Sequence, residues 1–391
     1  MQKSGTIHNV RNCFGCGVCA TICPRNIIEI ESNPNGFYEP HIRNTAECVN
    51  CGLCCDVCSF LSKDLAIKNR PIKSWAAWSN NDDTRASCSS GGIGFEIGRQ
   101  LIEKGYKAVG CRYNTEKQRA EHYVATTAEE FLETRGSKYI QSYTVDAFKQ
   151  LRKKGEKYLV SGTPCQIDSI RRLIRKYQCE DNFILMDFFC HGVPSINVWK
   201  AYIRMLEPRI GKITHACWRS KVENGWHDSW IMKIDGEKTM SPTNMHESIS
   251  KKKTFFQSRM SKGDVFYKLF LGGIALGPQC EKDCKYKYDS SSADIRIGDF
   301  WGNTYKENEK GVSAVVAFSE KGVKLIEALE NITLVEHPFE TASEGQMKKN
   351  ASHKEVQPVI MALLRKGFSL QSTSVRFLLF IQKVISKLKR L

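Results

Sequence analysis

The sequence predicts an α+β protein in three parts: a cysteine-rich module over residues 1–65, an α/β domain over 72–345 and a helical tail over 346–391. Three observations carry this expectation. Nine of the seventeen cysteines fall between Cys13 and Cys58. Strand-like and helix-like segments alternate beyond residue 72. Apolar residues recur at helical spacing between Val375 and Leu391.

With 391 residues, 41% hydrophobic and 26% charged, the chain can bury a core, which excludes disordered and collagen-like classes. No run approaches the roughly 18–20 apolar residues that span a bilayer. The opening residues MQKSGTIHNV lack the apolar stretch of a signal peptide, so the expected location is the cytoplasm. Thiols stay reduced there, and the cysteines read as metal or redox ligands rather than a disulfide framework. The formal charge of +16 raises nucleic acid as a partner. It counts every thiol as neutral, however, so cysteines held as thiolates by iron lower the true balance, and no nucleic-acid partner is expected.

Cys13-Phe-Gly-Cys16-Gly-Val-Cys19-Ala-Thr-Ile-Cys23-Pro24 is the C-x2-C-x2-C-x3-C-P run of bacterial ferredoxins. Cys48-Val-Asn-Cys51-Gly-Leu-Cys54-Cys55-Asp-Val-Cys58 repeats it, with Ser59 where Pro24 stood. Three thiolates on a tight loop reach three corners of one cubane, while the fourth lies on the next helical turn and points elsewhere. The fourth cysteines therefore cross over. Cys13, Cys16, Cys19 and Cys58 are assigned to one [4Fe-4S] cluster, and Cys48, Cys51, Cys54 and Cys23 to the second, leaving Cys55 over. Gly15, Gly17 and Gly52 suit backbone that approaches sulfide closely. Zinc also takes four cysteines, but its sites pair two C-x2-C knuckles across a longer gap. Ile27–Ile30 and the Asn33–Tyr38 segment read as a strand and turn between the halves.

After a linker at Lys68-Asn-Arg-Pro71, strands are expected at Ala108–Tyr113, Tyr158–Ser161, Phe183–Phe189, Trp230–Ile234, Asp294–Ile297 and Ala314–Phe318. Helices are expected at Phe95–Lys104, Val145–Lys154 and Ile167–Tyr177. Gly92, Gly94 and Gly98 imitate a dinucleotide fingerprint, but the preceding Asn80–Arg85 reads as loop and the glycine spacing is one residue too long. The Ser89–Gly94 turn reads equally as a phosphate-binding helix start and as a plain capped turn. Cys165 and Cys190 follow predicted strands, where α/β sheets place functional groups. With Cys280 and Cys284 they form either a third cluster or a set of buried thiols. Cys111, Cys179 and Cys217 read as structural.

Ser90-Gly-Gly92, Gly136-Ser-Lys-Tyr-Ile-Gln-Ser142, Gly162-Thr-Pro-Cys-Gln166, Cys190-His-Gly-Val-Pro-Ser195 and Asp294-Ile-Arg-Ile-Gly-Asp-Phe-Trp-Gly302 occur in that order. Together they resemble the family of coenzyme F420 hydrogenase/dehydrogenase beta subunits, over nearly the whole chain up to about Phe318. The resemblance implies a flavin, FAD rather than FMN, beside a third [4Fe-4S] cluster whose ligands match Cys165, Cys190, Cys280 and Cys284. The family commonly has C-x2-C where this chain has Cys280-Glu-Lys-Asp-Cys284. It also implies that Ser90, Gly91, Gly92, Ser137, Lys138 and Tyr139 line the flavin. A cationic Lys138 and a stacking Tyr139 agree with that in part. His191, beside Cys190, is the candidate proton donor, against a reading in which it only shields the cluster. His227 is a weaker candidate.

In the tail, Phe377, Phe380, Ile381, Val384, Leu388 and Leu391 share one helical face, with Lys383, Lys387 and Arg390 elsewhere. Two readings fit: a helix packed on the domain, and peripheral contact with an anionic membrane or a partner. The parts together imply an iron–sulfur flavoprotein oxidoreductase linking a one-electron carrier such as ferredoxin, or a partner redox enzyme, to a small organic two-electron substrate. Bacterial members of the family suggest polysaccharide metabolism. The alternatives are a subunit that reduces or oxidises coenzyme F420, and a non-catalytic electron-transfer subunit of a larger complex.

Overall fold

The computed structural model describes residues 6–153, 155–240 and 250–389. The first five residues of the cysteine module, and Arg390 and Leu391 of the tail, lie outside them. The fold is α+β, as expected.

In the N-terminal module, the helices Val18–Ile22 and Leu53–Asp56 each start after a glycine in the left-handed region, Gly17 at φ 76° and Gly52 at φ 74°. A side chain would be strained at either position. Between the two helices, β1 (Ile28–Ser32) and β2 (Tyr38–Ile42) pair antiparallel. Asn33 shapes their turn, its side-chain oxygen accepting from the Asn35 and Phe37 N–H groups at 3.0 and 3.1 Å.

The body holds β3 (Lys73–Ser79), β4 (Lys107–Asn114), β5 (Arg119–Ala125), β6 (Ser142–Tyr143), β7 (Tyr158–Ser161), β8 (Phe183–Phe188), β9 (Lys212–Cys217), β10 (Ile231–Met240), β11 (Ser250–Arg259), β12 (Ile295–Asp299), β13 (Ser313–Ala317) and β14 (Ile332–Glu336). Nine of them form one sheet in the order β14-β3-β13-β12-β8-β7-β4-β5-β6, and β11-β10-β9 form a second. The centre of the large sheet, β4, β7, β8 and β12, is parallel. Antiparallel strands flank it on both sides.

Both faces of the parallel centre are covered, which is why β7 and most of β8 read as apolar runs rather than alternating. The helix Ile93–Glu103 packs on one face through Ile93, Ile97 and Leu101, against Leu159, Ile184 and Ile295. On the other face, the helix Pro164–Lys176 packs Ile167, Ile170 and Leu173 against Val109, Val160 and Leu185. Val18, Ile22 and Val57 of the cysteine module join that same cluster. The module and the sheet thus share a core.

Local expectations needed correction in several places. Asn80–Arg85 is not a loop: β3 ends at Ser79 and the helix Asp82–Ser87 follows, capped by the Asn81 side chain on Thr84 N–H at 2.8 Å. Val145–Lys154 is α-helical only to Phe148 and tightens into a 3-10 turn over Lys149–Arg152. The strand expected at Trp230 starts at Ile231 and runs on to Met240. The fifteen-residue helix Ile196–Ile210 was not anticipated. Its signals were present, with Ser195 as N-cap and apolar residues at helical spacing, but Pro208 near its end obscured them.

The linker at Lys68–Pro71 is a strap. Asn69 bridges to Ser291, and Arg70 pairs with Asp289. Just before it, the fully buried carboxylate of Asp168 accepts from Ala66 N–H (2.6 Å), Ser292 Oγ (2.5 Å), Arg172 Nε (3.2 Å) and Tyr286 OH (3.2 Å). Four separate stretches of chain meet on one charge. Asp168→Ala strands these donors and is expected to cost about 3 kcal/mol in urea unfolding, with Asp168→Asn recovering part of it. A loss below about 1 kcal/mol would show that the strap holds without this carboxylate.

Candidate functional site

Two small hollows open inside the cysteine module. Cys13, Cys16, Cys19 and Cys58 line the first, and Cys23, Cys48, Cys51 and Cys54 line the second. These are the two crossed-over sets. Burial pushes the Cys13 thiol up to about 12, with the neighbouring Cys16 and Cys58 adding to the effect and a Gly15 N–H opposing it. Burial likewise pushes Cys16 up to about 11. Thiols so placed become thiolates only if a cation compensates, which is the donor chemistry of an iron–sulfur cluster. The Gly15 N–H lies 3.4 Å from Cys13 Sγ. The sets approach one another, since Cys54 acts on Cys19.

Cys165, Cys190, Cys280 and Cys284 also come together. Cys165 is raised first by burial and then by Cys190 and Cys280, while Cys190 and Cys280 each feel Cys284. Cys280 sits in the short helix Pro278–Lys282, and Cys284 follows just past its C-cap, Asp283. Cys16 is the next thiol that acts on Cys165, so the first set and this one are neighbours. Lys287 Nζ donates to the Cys190 carbonyl at 2.6 Å and sets a cation beside these thiols.

At the carboxyl ends of β7, β8 and β12 lies a cavity of 540 Å³. This is where α/β sheets bind ligands. Phe14 lies in its wall and also in the wall of the first cysteine hollow. Cys190, His191, Ser90, Gly92, Ser137, Lys138 and Tyr139 line it. Gly91 does not: it packs behind the wall, where a Cβ would meet the Ala77 carbonyl at 2.3 Å and the Ser313 backbone at 2.8 Å. Ser89 Oγ accepts from Ser137 N–H at 2.8 Å, joining the serine–glycine turn to the Gly136–Ser142 stretch. The helix Ile93–Glu103 begins at this turn, presenting N–H groups suited to a phosphate.

Three predicted side chains are turned away from the expected roles. Lys138 Nζ donates to the Glu133 and Arg135 carbonyls at 2.7 and 2.9 Å, and burial lowers its pKa. The Tyr139 ring stacks on Trp230 at 4.9 Å and leans on Phe270 at 5.2 Å. His191 Nε2 lies 3.1 Å from the Phe270 carbonyl and Nδ1 3.0 Å from Met347 Sδ, so neither ring nitrogen is presented to the cavity. His227 pairs with Glu309 at 3.2 Å, away from the cavity lining. Cys111, expected to be structural, lines the cavity with Cys88.

Two further lining residues carry no signal in the sequence. His122 Nε2 meets the Ser161 carbonyl at 3.0 Å, which makes Nε2 the protonated nitrogen, and its buried Nδ1 has no hydrogen-bond partner. The guanidinium of Arg135 lies over Phe95 at 4.0 Å with its buried Nε equally unpaired. A ligand with complementary polar atoms would satisfy both. His122 stands in no motif, and Arg135 immediately precedes the Gly136–Ser142 stretch without belonging to it.

Comparison with known proteins places these features. A 4Fe-4S dicluster domain model matches residues 12–61. Models of the N-terminal and C-terminal parts of the coenzyme F420 hydrogenase/dehydrogenase beta subunit match residues 74–149 and 155–341. The chain belongs to the family of coenzyme F420 hydrogenase/dehydrogenase beta subunits. Among the family's relatives, the beta subunit of coenzyme F420 hydrogenase from Methanococcus voltae is 38% identical over 103 residues, 23% of this chain and 37% of that protein. An F(420)H(2) dehydrogenase subunit from Methanosarcina mazei is 28% identical over 187 residues, 46% of this chain and 53% of that protein. The matches thus span about half or less of the relatives' length. A chain of the F420-reducing [NiFe] hydrogenase complex from Methanosarcina barkeri aligns with a TM-score of 0.45 at 15% identity, covering 78% of this chain and 91% of that one. This family member therefore carries a 4Fe-4S dicluster domain within an oxidoreductase family. Among the described residues, no helix is long and apolar enough to cross a membrane.

Burial lowers the His122 pKa to about 4. Between pH 6.5 and 4 the unfolded chain takes up a proton that the folded chain refuses, so stability rises with pH through this window and is lost on acidification. Lowering the pH from 7 to 4 is expected to remove about 3 kcal/mol through this group alone. Urea midpoints measured against pH should show a shallower decline in His122→Gln; an unchanged slope would place the titration elsewhere.

Proposed function

We propose that this chain is the iron–sulfur subunit through which electrons pass between a one-electron carrier or partner redox enzyme and an organic two-electron cofactor in the cavity. The observation that carries the reading is the ordering of the sulfur sites. Cys51 is exposed, Cys54 neighbours Cys19, Cys16 neighbours Cys165, and Cys190 stands in the cavity wall. In this reading Cys13, Cys16, Cys19 and Cys58 hold one [4Fe-4S] cluster, Cys23, Cys48, Cys51 and Cys54 a second, and Cys165, Cys190, Cys280 and Cys284 a third. When bound, the clusters supply one-electron redox and a flavin in the cavity supplies the exchange between one- and two-electron chemistry.

The chain's own residues bind, orient and insulate. The Ser89–Gly92 turn, with Gly91 packed behind it and Ser137 tied to Ser89, directs the N–H groups of the following helix toward a phosphate of the flavin. Lys138 and Tyr139 shape the wall from within. His122 Nδ1 and Arg135 Nε await polar atoms of the ligand. Phe95 and Phe131 keep water from the interior. Lys287 lowers the cost of thiolate at Cys190.

The names of the relatives, one from a coenzyme F420 hydrogenase and one from an F(420)H(2) dehydrogenase, favour coenzyme F420 as the organic partner and a place in a larger assembly. They lend nothing to polysaccharide metabolism. The cytoplasm suits this chemistry because thiols stay reduced there.

Anaerobic purification followed by iron, acid-labile sulfide, zinc and flavin analysis tests the proposal. About twelve irons and one flavin per chain are expected, and about eight irons would remove the third cluster. Zinc without flavin would overturn the reading. Cys165→Ala should lower the iron content by about four per chain. Cys16→Ala should cut carrier-driven reduction of the cavity flavin far more than it alters flavin content.

A further inference from the structure

The C-terminal helix Thr373–Leu388 has two apolar faces. Val375 and the buried Gln382 hold its inner face on the body, with Leu378, Leu379 and Ile381 packed against the core beneath. Gln382 Oε1 accepts from Val356 N–H at 3.3 Å, and its Nε2 donates to Glu355 at 3.0 Å. This docking satisfies the reading of a helix packed on the domain, yet it leaves an outer face unexplained. On that side Phe377 is 61% exposed, Phe380 63%, Val384 42% and Leu388 64%. At 100° per residue these four positions form one stripe diametrically opposite Val375 and Gln382. Leu391, the last residue expected on this face, lies outside the described residues.

The charge around the stripe is of one sign. Arg376, Lys383 and Lys387, seven and then four residues apart, fall in a row along one flank, and all three are exposed. No Asp or Glu occurs between Val356 and Leu391, where seven Lys and Arg do. The helix rides on the outside of the body, so the stripe is a convex ridge rather than a groove. A protein partner would need a matching trough, whereas a lipid surface accepts apolar side chains at the acyl boundary and cations at the headgroups without one. The ridge from Phe377 to Leu388 runs for about 17 Å along the helix.

We propose that the outer face of the C-terminal helix is a peripheral membrane-binding surface, in which Phe377, Phe380, Val384 and Leu388 enter an anionic leaflet and Arg376, Lys383 and Lys387 contact its headgroups. The helix stays docked through Gln382 and lies parallel to the membrane plane, bringing the whole redox body to the surface. The proposal stands independently of which organic molecule fills the cavity.

Flotation of the anaerobically purified full chain with phosphatidylglycerol-containing vesicles tests it, with pure phosphatidylcholine vesicles in parallel. Binding is expected to the anionic vesicles, to weaken with salt, and to be far weaker on the neutral ones. Lys383→Glu with Lys387→Glu should lower the partition coefficient at least about tenfold, since each cation at an anionic surface is worth roughly fivefold. Phe377→Ser with Phe380→Ser should lower it comparably. Both pairs are exposed, and an unchanged visible spectrum and melting temperature will show that the fold is kept. Absence of binding to anionic vesicles, or binding that survives both double substitutions, overturns the proposal. Concentration-dependent dimerisation abolished by Phe377→Ser with Phe380→Ser, without vesicle binding, overturns it in favour of a second copy of the chain.

Discussion

Much of this molecule's geometry depends on one helix, Pro164–Lys176. Its first turn carries Cys165, and Ser169 one turn later holds the cysteine module: Ser169 Oγ lies 3.3 Å from Cys16 Sγ and accepts from Ser59 N–H at 3.2 Å. Ser59 Oγ returns a hydrogen bond to the Cys165 carbonyl at 3.1 Å. Cys16 of the first cysteine set and Cys165 of the third are therefore spaced by a single rigid element, not by a flexible junction. The same helix buries Asp168, and Thr163 with Gln166 caps its start in a reciprocal box. Positions fixed by one piece of secondary structure keep the spacing between these two cysteine sets constant.

Buried charge is the second organising feature, concentrated where the strands end at the cavity. Arg296 meets Asp187 through two contacts at 2.7 and 2.8 Å, with both side chains nearly inaccessible. Arg219 meets Asp299 at 2.6 Å beneath the Trp230 and Trp301 rings, and the ion pair holds its guanidinium charged in spite of burial. Such pairs are costly to bury and contribute little net stability against apolar alternatives, though breaking one is expensive. Their place beside the cavity suits precision: forked hydrogen bonds fix β8 and β12, and with them the cavity wall.

The cysteine module was legible because its chemistry is written in local spacing. Three cysteines within seven residues leave few alternatives, and the crossing of Cys23 and Cys58 into opposite hollows follows from the direction of a helical turn. The parallel strands were legible as short apolar runs such as Tyr158–Ser161. Function in the cavity wall was not. His122 and Arg135 are defined by what their unpaired nitrogens face, and that depends on strands and turns distant in sequence. Lys138 and Tyr139 belong to a recognisable stretch, yet the carbonyls of Glu133 and Arg135 and the Trp230 ring direct them, which spacing does not encode. Cys111 looked solitary in sequence because its company, Cys88 and Lys138, is assembled only by the fold.

The core shared between module and sheet bears on how the protein is made. Val18, Ile22 and Val57 complete the face on which Ile170, Leu173 and Leu185 are buried. A small metal-binding module draws much of its folding free energy from the metal itself. Folding of the module and closure of the sheet are coupled, because each leaves apolar surface bare until the other is in place.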